Sequence, residues 1–429
     1  MTGELGEICF GQKRDPCDSF FKKLKAVYSP RNATSPAAAN VGITIHPALE
    51  ASGKGTFQSR TDNAAIKSID ADTLEPIGIT DQSKLHPELR GPLSAAHAQF
   101  DPKTGDCYNY NLDLGPVATY RIFRSRAGTG RTDILATISG SDIPGAYVHS
   151  FFLTANYVVL CLWPARFANL GISILWTRNL LDAIAPFDPK AETRWFVIDR
   201  QGGRGCVKRF TSPAMFSFHT VNAFEAPQDD GTVDVLADLI TYPDLDVLHK
   251  MYYDNLVSNS PGARRREKQT RSAHASYSFS RFRLPNIPLT TPSRRSKSRA
   301  EREVLLPRPD VGELPTLNPA YSTKPYRYFY GLADRGLSSF VDGIVKVDVH
   351  TQKTLCWSRT KHTPGEAIFV ADPARESLED GGWLLSCVLD GETGTSYLLC
   401  LDAETMEEVG RAESEVAWGH GLHGTHVKM

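Results

Sequence analysis

Short runs of alternating apolar and polar residues, rich in β-branched and aromatic side chains, recur along most of the 429-residue chain. Gly, Pro, Asp and Asn turns separate them, and little helical periodicity lies between. Period-two alternation between tight polar turns is the mark of strands, so the pattern predicts an all-β fold. Residues 64–69, 107–112, 195–199 and 343–349 are examples, each bordered by a turn such as DPKTGD, RQGGRG or HTQK. A unit of strand, Asp-x-x-Thr turn and strand repeats at SIDADTLEPIGI, VDVHTQKTLCW and LDAETMEEVGR. Repetition of this kind suits the hairpins of a β-propeller, although it is too degenerate to count blades.

Two stretches read as helical, 15–27 (DPCDSFFKKLKAV) and 236–259. In the first, Phe20, Phe21, Leu24 and Val27 share one face. Residues 258–303 turn basic and Ser-rich on either side of SFSRFRLPNIPL, and they read as a flexible loop insertion in a single domain spanning 1–429.

Composition narrows the chemistry. The 48 basic and 49 acidic residues cancel, so nothing points to nucleic acid, and a neutral small molecule fits as a ligand. Eight cysteines are scattered without CxxC or CxxH pairing and read as reduced intracellular thiols. The start, MTGELGEICFGQKRDPC, has no basic n-region followed by an apolar run, which argues against a secretory signal and for the cytoplasm. The most apolar stretch, 157–176, is interrupted by Pro164, Arg166 and Asn169 and falls short of a membrane span. It reads as a buried strand followed by an amphipathic hairpin, with an apolar patch resting on a membrane or lipid surface as the second reading.

Four of the 12 histidines sit in segments that look like buried strand ends: His97 in SAAHAQFDP, His149 in AYVHSFFLT, His219 in FSFHTVNAFEA and His423 in GLHGTHV. Ligands so far apart in sequence imply a site assembled by tertiary structure. Imidazole suits iron, zinc, copper and nickel alike, so ligand type alone does not name the metal.

These segments resemble the carotenoid cleavage oxygenases in residue type and chain order, from about Phe10 to the C-terminus. AHAQFDPKTGDCYNYNLDLG is similar to the family's first ligand motif, YVHSFFLTANYVVL to the second, FHTVNAFEA to the third and GLHGTHV to the fourth. The resemblance implies a seven-bladed β-propeller with a few short helices over its top face, and iron(II), Fe(2+), held by His97, His149, His219 and His423. Within GHGLHGTHV, the family's apolar residue before the ligand and Gly after it select His423 over His420 and His426. Outer carboxylates that orient the imidazoles match Glu313 and Glu366. The third falls on Asp62, where the family usually has Glu; the shorter side chain demands a closer backbone or a bridging water. Thr61 matches a position beside the metal's open coordination sites.

By the same resemblance, dioxygen and a carotenoid or apocarotenoid meet at this site, a C=C bond is cleaved to two carbonyl products, and no organic cofactor or obligate protein partner takes part. The glycine-rich RQGGRG opens no helix and reads as a hairpin turn, not a nucleotide loop. HPELRGPLSAAHA together with GLHG is most similar to the fungal branch acting on torulene, β-carotene or apocarotenoids, and less so to the stilbene-cleaving branch. Family members usually carry more residues before the DPC stretch, so the competing expectation is a truncated propeller with an incomplete blade, inactive or only metal-binding. A zinc hydrolase on the same histidines is a third reading.

Overall fold

The computed structural model describes residues 10, 19, 23, 41–49, 55–257, 260–262, 264–265, 277–289, 298–338 and 340–427. Among them, six sheets of four or five strands succeed one another along the chain as the blades of a propeller. Blade 1 comprises Thr44–Pro47, Thr56–Arg60, Ala65–Asp70 and Pro76–Asp81. Blade 2 has an interrupted inner strand, Leu93–Ser94 and Gln99–Phe100, then Cys107–Asp113, Thr119–Ser125 and Thr132–Ser139. Blade 3 runs from Phe152–Leu153 through Tyr157–Leu162 and Thr193–Asp199 to Cys206–Ser212, with Ser298–Arg299 added in parallel at its edge. Blade 4 holds Thr220–Pro227, Thr232–Thr241, Ser278–Pro288 and Glu301–Pro307. Blade 5 holds Glu313–Thr316, Tyr328–Ala333, Gly343–Asp348 and Thr354–Trp357. Blade 6 has an interrupted inner strand, His362–Pro364 and Ile368–Ala371, followed by Gly382–Asp390, Thr395–Asp402 and Glu408–Glu413.

The expectation of seven blades is thereby corrected to six. The turn motif could not have supplied the count. In each copy the Asp carboxylate accepts backbone N–H groups two or three residues on, at Asp70, Asp101, Asp348, Asp390 and Asp402. These turns fall once in blades 1, 2 and 5 and twice in blade 6, so they mark hairpins and not blades.

Two further expectations change. Residues 236–241 are not helical but belong to the strand Thr232–Thr241, buried along nearly its whole length between two neighbours. A strand covered on both faces loses its period-two signature and reads like a buried helix. The short helices Asp246–Lys250 and Tyr253–Leu256 follow it. Within 258–303, the SFSRFRLPNIP segment is the third strand of blade 4, with Phe279, Phe282, Leu284 and Ile287 buried, and Ser298–Arg299 and the strand from Glu301 are also paired, while residues 266–276 and 290–297 lie outside the described residues. The helix expected over 15–27 lies almost entirely outside the described residues.

The apolar stretch does begin as a buried strand, Tyr157–Leu162, and continues into short helical turns where Leu170, Ile172 and Trp176 are exposed. No described helix is long and apolar enough to cross a membrane. RQGGRG turns the hairpin between Thr193–Asp199 and Cys206–Ser212, with Gly202, Gly203 and Gly205 at positive φ.

The up-and-down order of a blade fixes where a site can form. The start of an inner strand and the connection after the second strand lie on the same face. In blades 3 and 4 that face carries His149 and His219 just before the inner strands, and the helical insertions after Leu162 and Thr241 cover it. Blades are joined by ring contacts in the core: the Trp195 ring of blade 3, fully buried, lies 5.1 Å from Phe282 of blade 4 and 6.2 Å from Phe152. Trp195→Ala should therefore cost about 3–5 kcal/mol of stability, read as a lowered denaturant midpoint with an unchanged slope.

Candidate metal centre

Each of the four histidines sits where an inner strand starts, breaks or gives way to extended chain. In blade 2 the inner strand is interrupted at residues 95–98, and the Asn109 side chain replaces the lost ladder by bonding both the N–H and the carbonyl of Ala95. The interruption turns His97 inward, its N–H held 3.2 Å from the carbonyl of His149. His149 and His219 immediately precede inner strands of blades 3 and 4. His423 lies on the extended C-terminal segment, which crosses blade 6 through Glu366 N–H to the Gly421 carbonyl, 2.9 Å. Gly365 permits that crossing, because a Cβ there would stand 2.7 Å from the Gly421 oxygen.

The four side chains converge. One nitrogen from each of His97, His149, His219 and His423 lies within 4.8 Å of all the others. Three of them are fixed from behind. His149 Nδ1 is 2.7 Å from Asp62 Oδ1, His219 Nδ1 is 2.6 Å from Glu313 Oε2, and His423 Nδ1 is 3.0 Å from Glu366 Oε1. A carboxylate opposite Nδ1 places the proton there and leaves the Nε2 lone pair facing the centre.

The second oxygen of each carboxylate is also bonded. Tyr147 Oη donates to Asp62 Oδ2 at 2.9 Å, Tyr242 Oη donates to Glu313 Oε1 at 2.5 Å, and the Gly424 N–H donates to Glu366 Oε2 at 3.0 Å. The Tyr147 oxygen also lies 3.1 Å from His149 Nδ1. The shorter carboxylate of Asp62 thus reaches its imidazole directly, with no intervening group.

Electrostatics favour the neutral form of His97 and His219, the form that ligation requires. Burial, reinforced by His423, His149 and His219, holds His97 well below its ordinary pKa. Burial also lowers His219, with Glu313 opposing. Burial pushes the Glu313 carboxyl up, but His219, the Tyr242 hydroxyl and the Leu314 N–H together hold it below its usual value.

The donor set fits a divalent metal. His219 Nε2 is buried without a hydrogen-bond partner, and His97 Nε2 and His423 Nε2 face each other at 3.1 Å. Two imidazole nitrogens about 2.1 Å from one ion and at right angles to each other are separated by about 3 Å.

An apolar cavity of about 290 Å³ opens onto the cluster, with His149, His219 and His423 in its wall beside Phe218, Leu314 and Val341. Thr61 is not in that wall. It lines a neighbouring cavity of about 290 Å³ that shares Phe10, Ile43 and Asp62 with the first. Successive residues of an extended segment point to opposite sides, so with Asp62 turned to His149, Thr61 turns away.

Sequence reasoning missed Tyr147, Tyr242 and His46. Tyr147 carried a usable signal: it stands two residues before His149 on an extended segment and therefore on the same face. Tyr242 and His46 carried none. His46 packs its ring 4.6 Å from Phe100, and burial, Arg60 and His423 bring its pKa down to about 3.

Similarity to known proteins agrees with this geometry. The retinal pigment epithelial membrane protein family matches residues 8–428. This chain belongs to that family of carotenoid oxygenases. A carotenoid dioxygenase of Neurospora crassa is 42% identical over 97% of this chain and 74% of its own length. A torulene dioxygenase of Fusarium fujikuroi is 41% identical over 98% of this chain and 76% of its own. Among solved structures, cobalt-substituted Synechocystis apocarotenoid oxygenase superposes with a TM-score of 0.71 at 21% identity, covering 99% of this chain and 80% of that one, a likeness of fold.

If the outer carboxylates orient the cluster, Glu313→Ala should weaken binding of a divalent metal about 10–100-fold, and Tyr147→Phe by a smaller factor, in competition with a chromophoric chelator.

Proposed function

We propose that this chain is an iron(II)-dependent dioxygenase that cleaves a C=C bond of a carotenoid or apocarotenoid, of the torulene or β-carotene type, with O2 to give two carbonyl products. The observation that carries this reading is a cluster of four imidazoles, three of them in the wall of an apolar cavity. The names of the fungal relatives, a carotenoid dioxygenase and a torulene dioxygenase, supply the substrate class.

In this reading His97, His149, His219 and His423 hold the iron, and Asp62, Glu313 and Glu366 orient three of them. Bound iron(II) would supply the activation of dioxygen. The residues around it do the rest. Phe218, Leu314 and Val341 give a conjugated hydrocarbon a surface that water does not contest, so a double bond can rest against the cluster. No described side chain beside the cluster is poised as a free general base: the three carboxylates are each committed to an imidazole, and two of them to a tyrosine as well. This favours an oxygenase over a zinc hydrolase on the same histidines, since the hydrolase needs a base for its water. Thr61, in the adjoining cavity, is assigned no contact with the reacting bond.

Leu170 and Ile172 rim that adjoining cavity and are 62% and 57% exposed. We read this edge, with Trp176, as the part of the surface that rests on a lipid layer, where an apolar substrate resides. Co-sedimentation with phospholipid vesicles should fall several-fold on Leu170→Ser/Ile172→Ser.

The main test is incubation of iron-loaded protein with torulene, β-carotene, apocarotenals and resveratrol, followed by analysis of the aldehydes. Polyene aldehydes are expected, and His219→Ala and His423→Ala should lose both stoichiometric iron and cleavage. Cleavage of resveratrol alone, or stoichiometric iron with no polyene cleavage, would refute the proposal.

A further inference from the structure

Two consecutive residues of blade 5, Glu313 and Leu314, both line the cavity over the histidines. In regular extended chain they would face opposite sides. Leu314 departs from that rule with a left-handed backbone, φ 50°, at the bulge where Glu313 pairs with Leu332 and Thr316 with Tyr330. A residue that carries a Cβ is strained in this region, and Pro315, next in the chain, favours an extended residue before it.

The surroundings hold the strained conformation in place. Gly312 lies so close to the neighbouring strand that a Cβ on it would stand 2.4 Å from the carbonyl carbon of Gly331. The Leu314 side chain is buried and belongs to one apolar cluster with Tyr330, Leu332 and Val341. What the turn achieves is a hydrogen bond: the Leu314 N–H reaches back to Glu313 Oε2 at 2.9 Å. That same oxygen faces His219 Nδ1 at 2.6 Å, while Oε1 accepts from the Tyr242 hydroxyl. Donors on both oxygens fix the plane of the carboxylate, so Oε2 stays aimed at the imidazole.

Resting on the reading of the four histidines as a metal site, we propose that Leu314 is a positioning residue for that site. Its left-handed backbone aims the N–H that holds Glu313 on His219, and the same turn places its side chain in the cavity wall. Backbone strain of this kind persists where a function uses it. Leu314 acts on the metal through Glu313 and His219, not by contact.

The test separates backbone from side chain. Gly and Asn adopt a left-handed backbone readily, whereas a β-branched residue there is an outlier. Leu314→Gly, Leu314→Asn and Leu314→Val are each loaded with cobalt(II), whose visible absorption reports its ligands, in competition with a colourless chelator. Leu314→Gly and Leu314→Asn should keep their cobalt affinity within about threefold of the wild type, and Leu314→Val should lose about tenfold, with an altered cobalt spectrum. A packing role alone predicts the reverse, because Val keeps most of the side chain and Gly none of it. Affinity that falls in the order Leu, Val, Gly, or that is equal in all four proteins, overturns the assignment. Should Leu314→Gly show no cooperative unfolding transition, Leu314→Asn against Leu314→Val decides in the same way. If the wild type takes up no cobalt, the metal reading itself fails and the assignment with it.

Discussion

The structure depends on one constraint: imidazoles from distant segments must present unprotonated Nε2 atoms to a common point. An imidazole has no means of choosing its tautomer alone; a partner on Nδ1 makes the choice. Asp62, Glu313 and Glu366 supply that partner across sequence separations of 87, 94 and 57 residues. Each must therefore arise on a different blade from a neighbouring backbone irregularity. Asp62 lies between two strands of blade 1, Glu313 opens the bulged inner strand of blade 5, and Glu366 occupies the gap in the inner strand of blade 6. A regular ladder alternates side chains between the two faces of a blade; a break or bulge re-aims one of them toward the axis. The irregularities of the inner strands in blades 5 and 6 are thus the price of the cluster.

Much of this was legible. The strand pattern gave the all-β class, and RQGGRG, the Asp-x-x-Thr turns and the C-terminal hairpins occur where alternation put them. The convergence of the four histidines was legible only through motif order, because nothing local distinguishes a histidine that joins the cluster from any other buried histidine. The blade number was not legible: hairpin turns repeat within one blade as readily as between blades. Residues 236–241 failed for another reason, since burial on both faces erases the period on which the reading rests. Tyr242 and Lys250 flank the same connection after Thr241, and their proximity to the cavity arises from a fold-back that no periodicity encodes.

The cavity extends the same logic outward. Polar side chains beside the histidine cluster are arranged in closed pairs, carboxylate with imidazole and tyrosine, so that the space in front of them remains apolar. The buried tyrosines Tyr147 and Tyr242 have pKa values raised well above normal, by burial first and then by the adjoining carboxylates. They are neutral donors near neutral pH, and each occupies a carboxylate oxygen that would otherwise draw water into the cavity.

Asp62 shows how a short carboxylate can reach and orient an imidazole, where the family resemblance led to the expectation of a longer one. Asp62 Oδ1 lies 2.7 Å from His149 Nδ1, a direct contact with no bridging group. Beside Asp62, blade 1 is stitched to blade 2: the Ser94 N–H bonds the Asp62 carbonyl at 3.0 Å, the Ala64 N–H bonds the Pro92 carbonyl at 2.9 Å, and Asn63 forms a bridge with Leu93. The Thr44 hydroxyl adds a bond to the Ala96 carbonyl at 2.7 Å, one residue from His97. These contacts hold the first blade against the inner edge of the second, beside the aspartate that meets His149. Tyr147 then holds the carboxylate from its other oxygen, so the rotation that a short, otherwise loosely held side chain would retain is removed. The position tolerates Asp because its surroundings fix both ends of the carboxylate and the backbone that bears it.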